Sequence, residues 1–137
     1  MVKAFKVILT GLLLGGLLGA VQSFAATAAG ATQTVSGGGV TAKITYLNPR
    51  SNDGPRFQVV LDTHSVALDG YDLKTITVLR DDSGKTYLPT GVENKGSGHH
   101  REVTVIFPKV SSEANRLELV LKDVAGVKER TFRWNLE

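Results

Sequence analysis

Two short stretches concentrate the side chains that could do chemistry. From Asp62 to Leu73 the chain reads DTHSVALDGYDL, with one histidine, one serine and three aspartates, and from Gly98 to Arg101 it reads GHHR. His64, His99 and His100 are the three histidines of the chain, which has no cysteine and a single methionine, Met1. Once the amino-terminal leader described below is removed, no sulfur ligand remains. Blue-copper, thiolate-zinc and Cu(I)–methionine sites are thereby excluded. Imidazole with carboxylate is left, a donor set that suits Zn²⁺ or Cu²⁺.

Strand phase decides which of these groups can meet. In RFQVVLDTH, Phe57, Val59 and Leu61 take alternate positions as a core face. Asp62 and His64 then project from the other face, with about 7 Å between their Cα atoms. In HHREVTVIF the core phase belongs to Val103, Val105 and Phe107, so a strand extended backwards turns Arg101 and His99 inward and His100 and Glu102 outward, unless GSGHH is already loop. The tightest metal set is therefore Asp62, His64 and His100, with Asp69 or Asp72 reaching in from the loop and His99 as a substitute. That set requires the two strands to be neighbours, which spacing does not establish. The alternative is structural: Asp62, Thr63 and Ser65 satisfy backbone groups at a strand end, and LDGYD is an Asx-type turn presenting Tyr71 and Leu73 to the core.

Catalysis has less support. His64 and Ser65 are adjacent on extended chain, so their side chains leave opposite faces and cannot form a nucleophile–base pair. No spacing singles out a carboxylate pair for glycoside hydrolysis. DGYD and DDSG lack the alternating oxygen ligands of an EF-type calcium loop. SGGG, from Ser36 to Gly39, precedes a strand and not a helix, so it is no phosphate cradle. The expectation is a protein that is not an enzyme.

The elements that must position these residues follow from periodicity. Residues 1–25 read as a signal peptide: Lys3 and Lys6 begin it, the glycine-laced apolar run Val7–Val21 follows, and Ser23 and Ala25 stand at the small-residue positions of a cleavage site. The run is shorter than the roughly 20 residues that span a bilayer. Residues 26–39, rich in Ala, Thr, Ser and Gly, read as a flexible lead-in that could hold a short strand at TQTV. From Val40 the period is two. GVTAKITYL, RFQVVLDTH, DLKTITVLRD, REVTVIF, RLELVLKDV and ERTFRWNL all alternate, and turn residues separate them. LRDDSGKTY is a hairpin with Gly84 at its left-handed position. Residues 40–137 are therefore expected to form an all-β, immunoglobulin-like antiparallel sandwich of seven or eight strands, with a closed barrel as the alternative. Trp134, alternating with Phe132 and Leu136, reads as a core anchor and not as an exposed aromatic platform.

Charge limits the partners. The chain has 16 Lys and Arg against 13 Asp and Glu, and loss of Lys3 and Lys6 leaves 14 against 13. The signs are interspersed, so there is no footprint for nucleic acid and no polybasic cluster for anionic lipid. DTHSVALDGYDL, GHHREVTVIFP and VAGVKERTFRWNL together resemble segments of a group of short secreted prokaryotic domains with an immunoglobulin-like sandwich. The resemblance runs from about Val40 to Leu136 and implies fold and export without an activity. The chain departs from that pattern at Ala67, where the group often has an acidic residue, and at Glu102, where a glycine-containing step is usual. Two functions are expected from these readings. One is a periplasmic or extracellular module binding Zn²⁺ or Cu²⁺ through His64, His99, His100, Asp62 and Asp69. The other is a metal-free interaction or assembly domain for a cell-envelope or extracellular partner, self-association included, with no membrane span after cleavage.

Overall fold

A computed structural model of the protein describes residues 30–136. The expected signal peptide at 1–25 lies outside the described residues, as do the first positions of the lead-in. Nine strands and one helical turn follow in order: β1 Thr32–Gly37, β2 Val40–Tyr46, β3 Arg56–Thr63, α1 Leu73–Ile76, β4 Thr77–Asp81, β5 Thr86–Tyr87, β6 Gly91–Lys95, β7 His100–Ile106, β8 Arg116–Val124 and β9 Val127–Asn135. They form two antiparallel sheets, one of five strands in the order β1-β2-β3-β7-β6 and one of four in the order β5-β4-β8-β9. Among the described residues no helix is long and apolar enough to cross a membrane.

Two-residue alternation does what the sequence predicts. Val40, Ala42, Ile44 and Tyr46 of β2, Phe57, Val59 and Leu61 of β3, and Val103 and Val105 of β7 are all buried. Leu117, Leu119 and Leu121 of β8 and Phe132 and Trp134 of β9 supply the opposing face. The two faces meet in an aromatic cluster, where the Phe57 ring lies 4.7 Å from Tyr46 and 5.0 Å from Trp134. Trp134 is fully buried and its indole N–H donates to the Ala31 carbonyl at 3.1 Å, as a core anchor should. Burial of each such large side chain contributes about 1.5–3 kcal/mol, which is how a chain without disulfides holds two sheets together.

The two sides of the sandwich differ. On one, β1 and β9 approach each other, and the Gln33 side-chain amide donates to the Arg133 carbonyl and accepts from the Arg133 N–H. Gln33 thus imitates a strand pairing across the gap. On the other side β5 has only two residues, and β6 ends its sheet as an open edge.

Two expectations change. DLKTITVLRD is not one strand, because Leu73–Ile76 form a helical turn and β4 begins at Thr77. Asp72 causes this: its carboxylate accepts from the Lys74 N–H at 3.1 Å, a backbone donor that the first turn of a helix leaves unpaired, and also from the Thr75 hydroxyl at 2.7 Å. Within the segment read as a flexible lead-in, Thr32–Gly37 form β1, wider than the TQTV strand allowed for there. Its outward hydroxyls pair across to β2, Thr32 with Thr45 at 2.7 Å and Ser36 with Thr41 at 3.0 Å, while Val35 packs on the core. Residues 40–137 hold eight strands, β2 to β9, as expected, and β1 brings the number among the described residues to nine.

Candidate functional site

The register of β3 against β7 settles the adjacency that spacing left open. The strands are antiparallel neighbours, with Asp62 directly opposite His100 and Leu61 opposite Arg101. Leu61 and Arg101 point inward, so Asp62 and His100 share the outer face, and Thr41 of β2 continues the same row on the far side of Asp62. The His100 Nδ1 and an Asp62 carboxylate oxygen are in direct contact. At 64 % side-chain exposure, His100 is open to solvent on its remaining side.

His64 and His99 stand just beyond the ends of these strands. The Thr63 N–H donates to the His99 carbonyl at 3.0 Å, which holds the two chain ends side by side. The Thr63 hydroxyl donates to the Gly39 carbonyl at 2.8 Å and accepts from the N–H groups of Ser65 and Val66 at 3.2 and 3.1 Å. Its backbone capping turns the chain away from the sheet, so His64 is exposed at the rim. The phase argument would send His99 inward on an extended β7, but the strand starts at His100 and His99 is exposed in the turn. Asp62, His64, His99 and His100 line one pocket of about 300 Å³ with Gly39, Thr41 and Thr63.

The remaining predicted ligand has a different task. Asp69 accepts from the Gly98 N–H at 2.9 Å and does not line the pocket, so it links the loop after β3 to the turn between β6 and β7. Asp72 is occupied as the cap of α1. Its carboxyl is held below the usual carboxylate value, chiefly by the Thr75 hydroxyl and then by the Lys74 N–H. Four of the five expected ligands thus come together and Asp69 stays apart. Among the described residues no group of three or more His, Asp or Glu side chains is gathered closely enough to hold a metal ion as it stands. The structural reading of the segment is right in part, since Thr63 caps the strand end and Leu73 is buried.

Arg101 supports this end from within. It is 9 % exposed and donates to the Leu68 carbonyl at 2.8 Å, to the Tyr71 carbonyl and to the Asn94 side chain at 3.2 Å. Phase places Arg101 inward, but its loop partners could not be read from spacing. Gly39 and Thr41 were also missed as pocket residues, because nothing in VSGGGVTAK signals chemistry. A larger cleft of about 740 Å³ lies at the other end of β2, lined by Tyr46, Arg50, Asp53, Lys109 and other loop residues.

No family model, curated protein or solved structure matches the chain.

Proposed function

We propose that this protein is an exported, immunoglobulin-like binding module, not an enzyme, that takes a borderline divalent cation at the Asp62–His100 end. One observation carries the reading: antiparallel pairing puts an imidazole and a carboxylate opposite each other on adjacent strands, with His64 and His99 on the rim of the same pocket. Groups opposite each other in a sheet have Cβ atoms about 4.5–5.5 Å apart, a span that one ion with bonds near 2 Å can bridge. His64 and His99 are exposed, so turning either ring inward costs rotamer entropy and not packing. Zn²⁺ and Cu²⁺ suit these ligands.

Strand order supports the immunoglobulin-like part. Lettered from β2, the orders β2-β3-β7-β6 and β5-β4-β8-β9 read A-B-E-D and C′-C-F-G, with β1 added beside A. In that arrangement the B–C and F–G loops share one end of the sandwich, the end that antibody variable domains use for binding. Here that end carries His64 after β3 and the Ala125–Gly126 turn after β8. Export rests on the leader, and the absence of cysteine removes any dependence on the redox state of the destination.

Calorimetric titration of the protein with Zn²⁺ and with Cu²⁺ tests the reading. Wild type should bind one ion, His100→Ala should lose most of the heat, and His64→Ala should bind more weakly. A wild-type titration indistinguishable from buffer, or heats unchanged in His100→Ala, would remove the metal from the account.

A further inference from the structure

The open side of the sandwich offers a second, independent site of contact. β6, with the sequence GVENK, has β7 on one flank only, so its other flank presents unpaired backbone N–H and C=O groups. The other ends of the two sheets are better protected, because Gln33 joins β1 to β9 and β5 is too short to template a partner. The register with β7 sets the faces of β6. Lys95 lies opposite Glu102, and Glu93 opposite Thr104, on the outer face of the five-stranded sheet. Glu93, Asn94 and Lys95 are all exposed.

We propose that β6 pairs antiparallel with β6 of a second copy of this chain, about a twofold axis through Asn94, joining two five-stranded sheets into one of ten. The charge pattern selects both the partner and the register. Centred on Asn94, the pairing sets Glu93 opposite the partner's Lys95 and Lys95 opposite the partner's Glu93, with each couple on one face. Centring on Glu93 would set two glutamates against each other, and centring on Lys95 two lysines, and like charges directly opposite destabilise a sheet. In the favoured register Lys95 stands between Glu102 of its own chain and the partner's Glu93, so the signs alternate across the seam. Lys95 makes no ion pair among the described residues, while Glu93 meets Arg56 at 3.1 Å and is still 55 % exposed. An isologous contact of this kind closes on itself and stops at the dimer. Leu88, the most exposed large apolar side chain among the described residues at 68 %, lies just before β6 on this same side.

A five-residue strand is only about 17 Å long, so the contact is small and the dimer weak and dependent on concentration. Sedimentation equilibrium from micromolar to millimolar protein measures it. The wild type should dimerise reversibly. Glu93→Lys alone and Lys95→Glu alone each turn two attractions into two repulsions and should weaken the dimer by about tenfold or more. The double variant Glu93→Lys with Lys95→Glu restores opposite charges across the axis and should recover the dimer. Circular dichroism of each variant separates loss of pairing from loss of fold, and exposed positions such as these should leave the fold intact. A wild type that stays monomeric at millimolar concentration overturns the proposal, as does a double variant no better than the single ones. Neither result bears on the metal titrations, which concern the other flank of β7.

Discussion

Replacing Arg101 by methionine probes the link between the core and the candidate site. Arg101 is a buried cation on β7 that satisfies backbone carbonyls of the loop after β3, and none of the ion pairs among the described residues includes it. Methionine keeps much of the apolar stem and removes the donors. Hydrogen bonds from a charged group contribute about 1.5–3 kcal/mol each, but the three here are not equal. Leu68 is fully buried, so its carbonyl stays dry when the guanidinium is removed, and the full value of that bond is lost. Tyr71 is half-buried and its carbonyl recovers part of the loss from water, while exposed Asn94 recovers nearly all of it. The sum is about 3 kcal/mol, a large fraction of the 5–15 kcal/mol that stabilises an ordinary domain. In a domain of this size it lowers the melting temperature by about 15 °C. Urea titration followed by the fluorescence of Trp134, the only tryptophan, measures the change directly. Arg101→Lys should fall between the two, because an ammonium can serve one or two of the carbonyls but not all three acceptors at once. A loss below about 0.5 kcal/mol in the methionine variant would show that the loop does not depend on Arg101, and that His64 and Asp69 are positioned by other contacts.

Two further outcomes follow from the structure. Asp81, at the β4–β5 hairpin, has its carboxyl held below the usual value, first by the Ser83 hydroxyl and then by Tyr87 and the N–H groups of Lys85 and Ser83, which together outweigh the opposing effect of burial. A group whose folded value is depressed stabilises the protein above its unfolded value, near 3.9 for aspartate, and that stability is lost as pH falls through the folded value. Unfolding monitored from pH 7 down to pH 2 should therefore show an acid-side loss that Asp81→Asn flattens, and an unchanged slope would show that Asp81 does not carry it. At the β1–β2 turn, a Cβ on Gly38 would sit 2.2 Å from the Ala125 carbonyl oxygen on backbone with φ of +62°. Gly38→Ala should cost about 2 kcal/mol or more by forcing the two hairpins apart, and a urea midpoint equal to wild type would show that the hairpins separate without penalty.

How far the sequence reaches is clearest in β3 and β7. Alternation in RFQVVLDTH and HREVTVIF identifies both strands, and it assigns Asp62 and His100 to the outer face and Arg101 to the core, all as found. It fails where a local interaction competes with the pattern. DLKTIT alternates as a strand would, yet the Asp72 side chain captures the N–H of Lys74 and starts a helical turn. It also fails where pairing alone makes the strand, as in β6, whose GVENK has no apolar alternation and is ordered by lying against β7. The exposed position of His99 belongs to the same class, since it depends on β7 beginning one residue later, at His100.

By itself the sequence determined the period of the chain, the residues that face the core, the want of any cysteine and the near balance of charge. These are local properties, fixed by side-chain chemistry and by the geometry of a pleated strand. Which strands lie side by side was decided only by the tertiary structure, because segments nearly forty residues apart pair through packing and loop closure that no short window of sequence contains. That pairing brought Asp62 to His100, gave Asp69 to the neighbouring turn, and left β6 at the edge of its sheet.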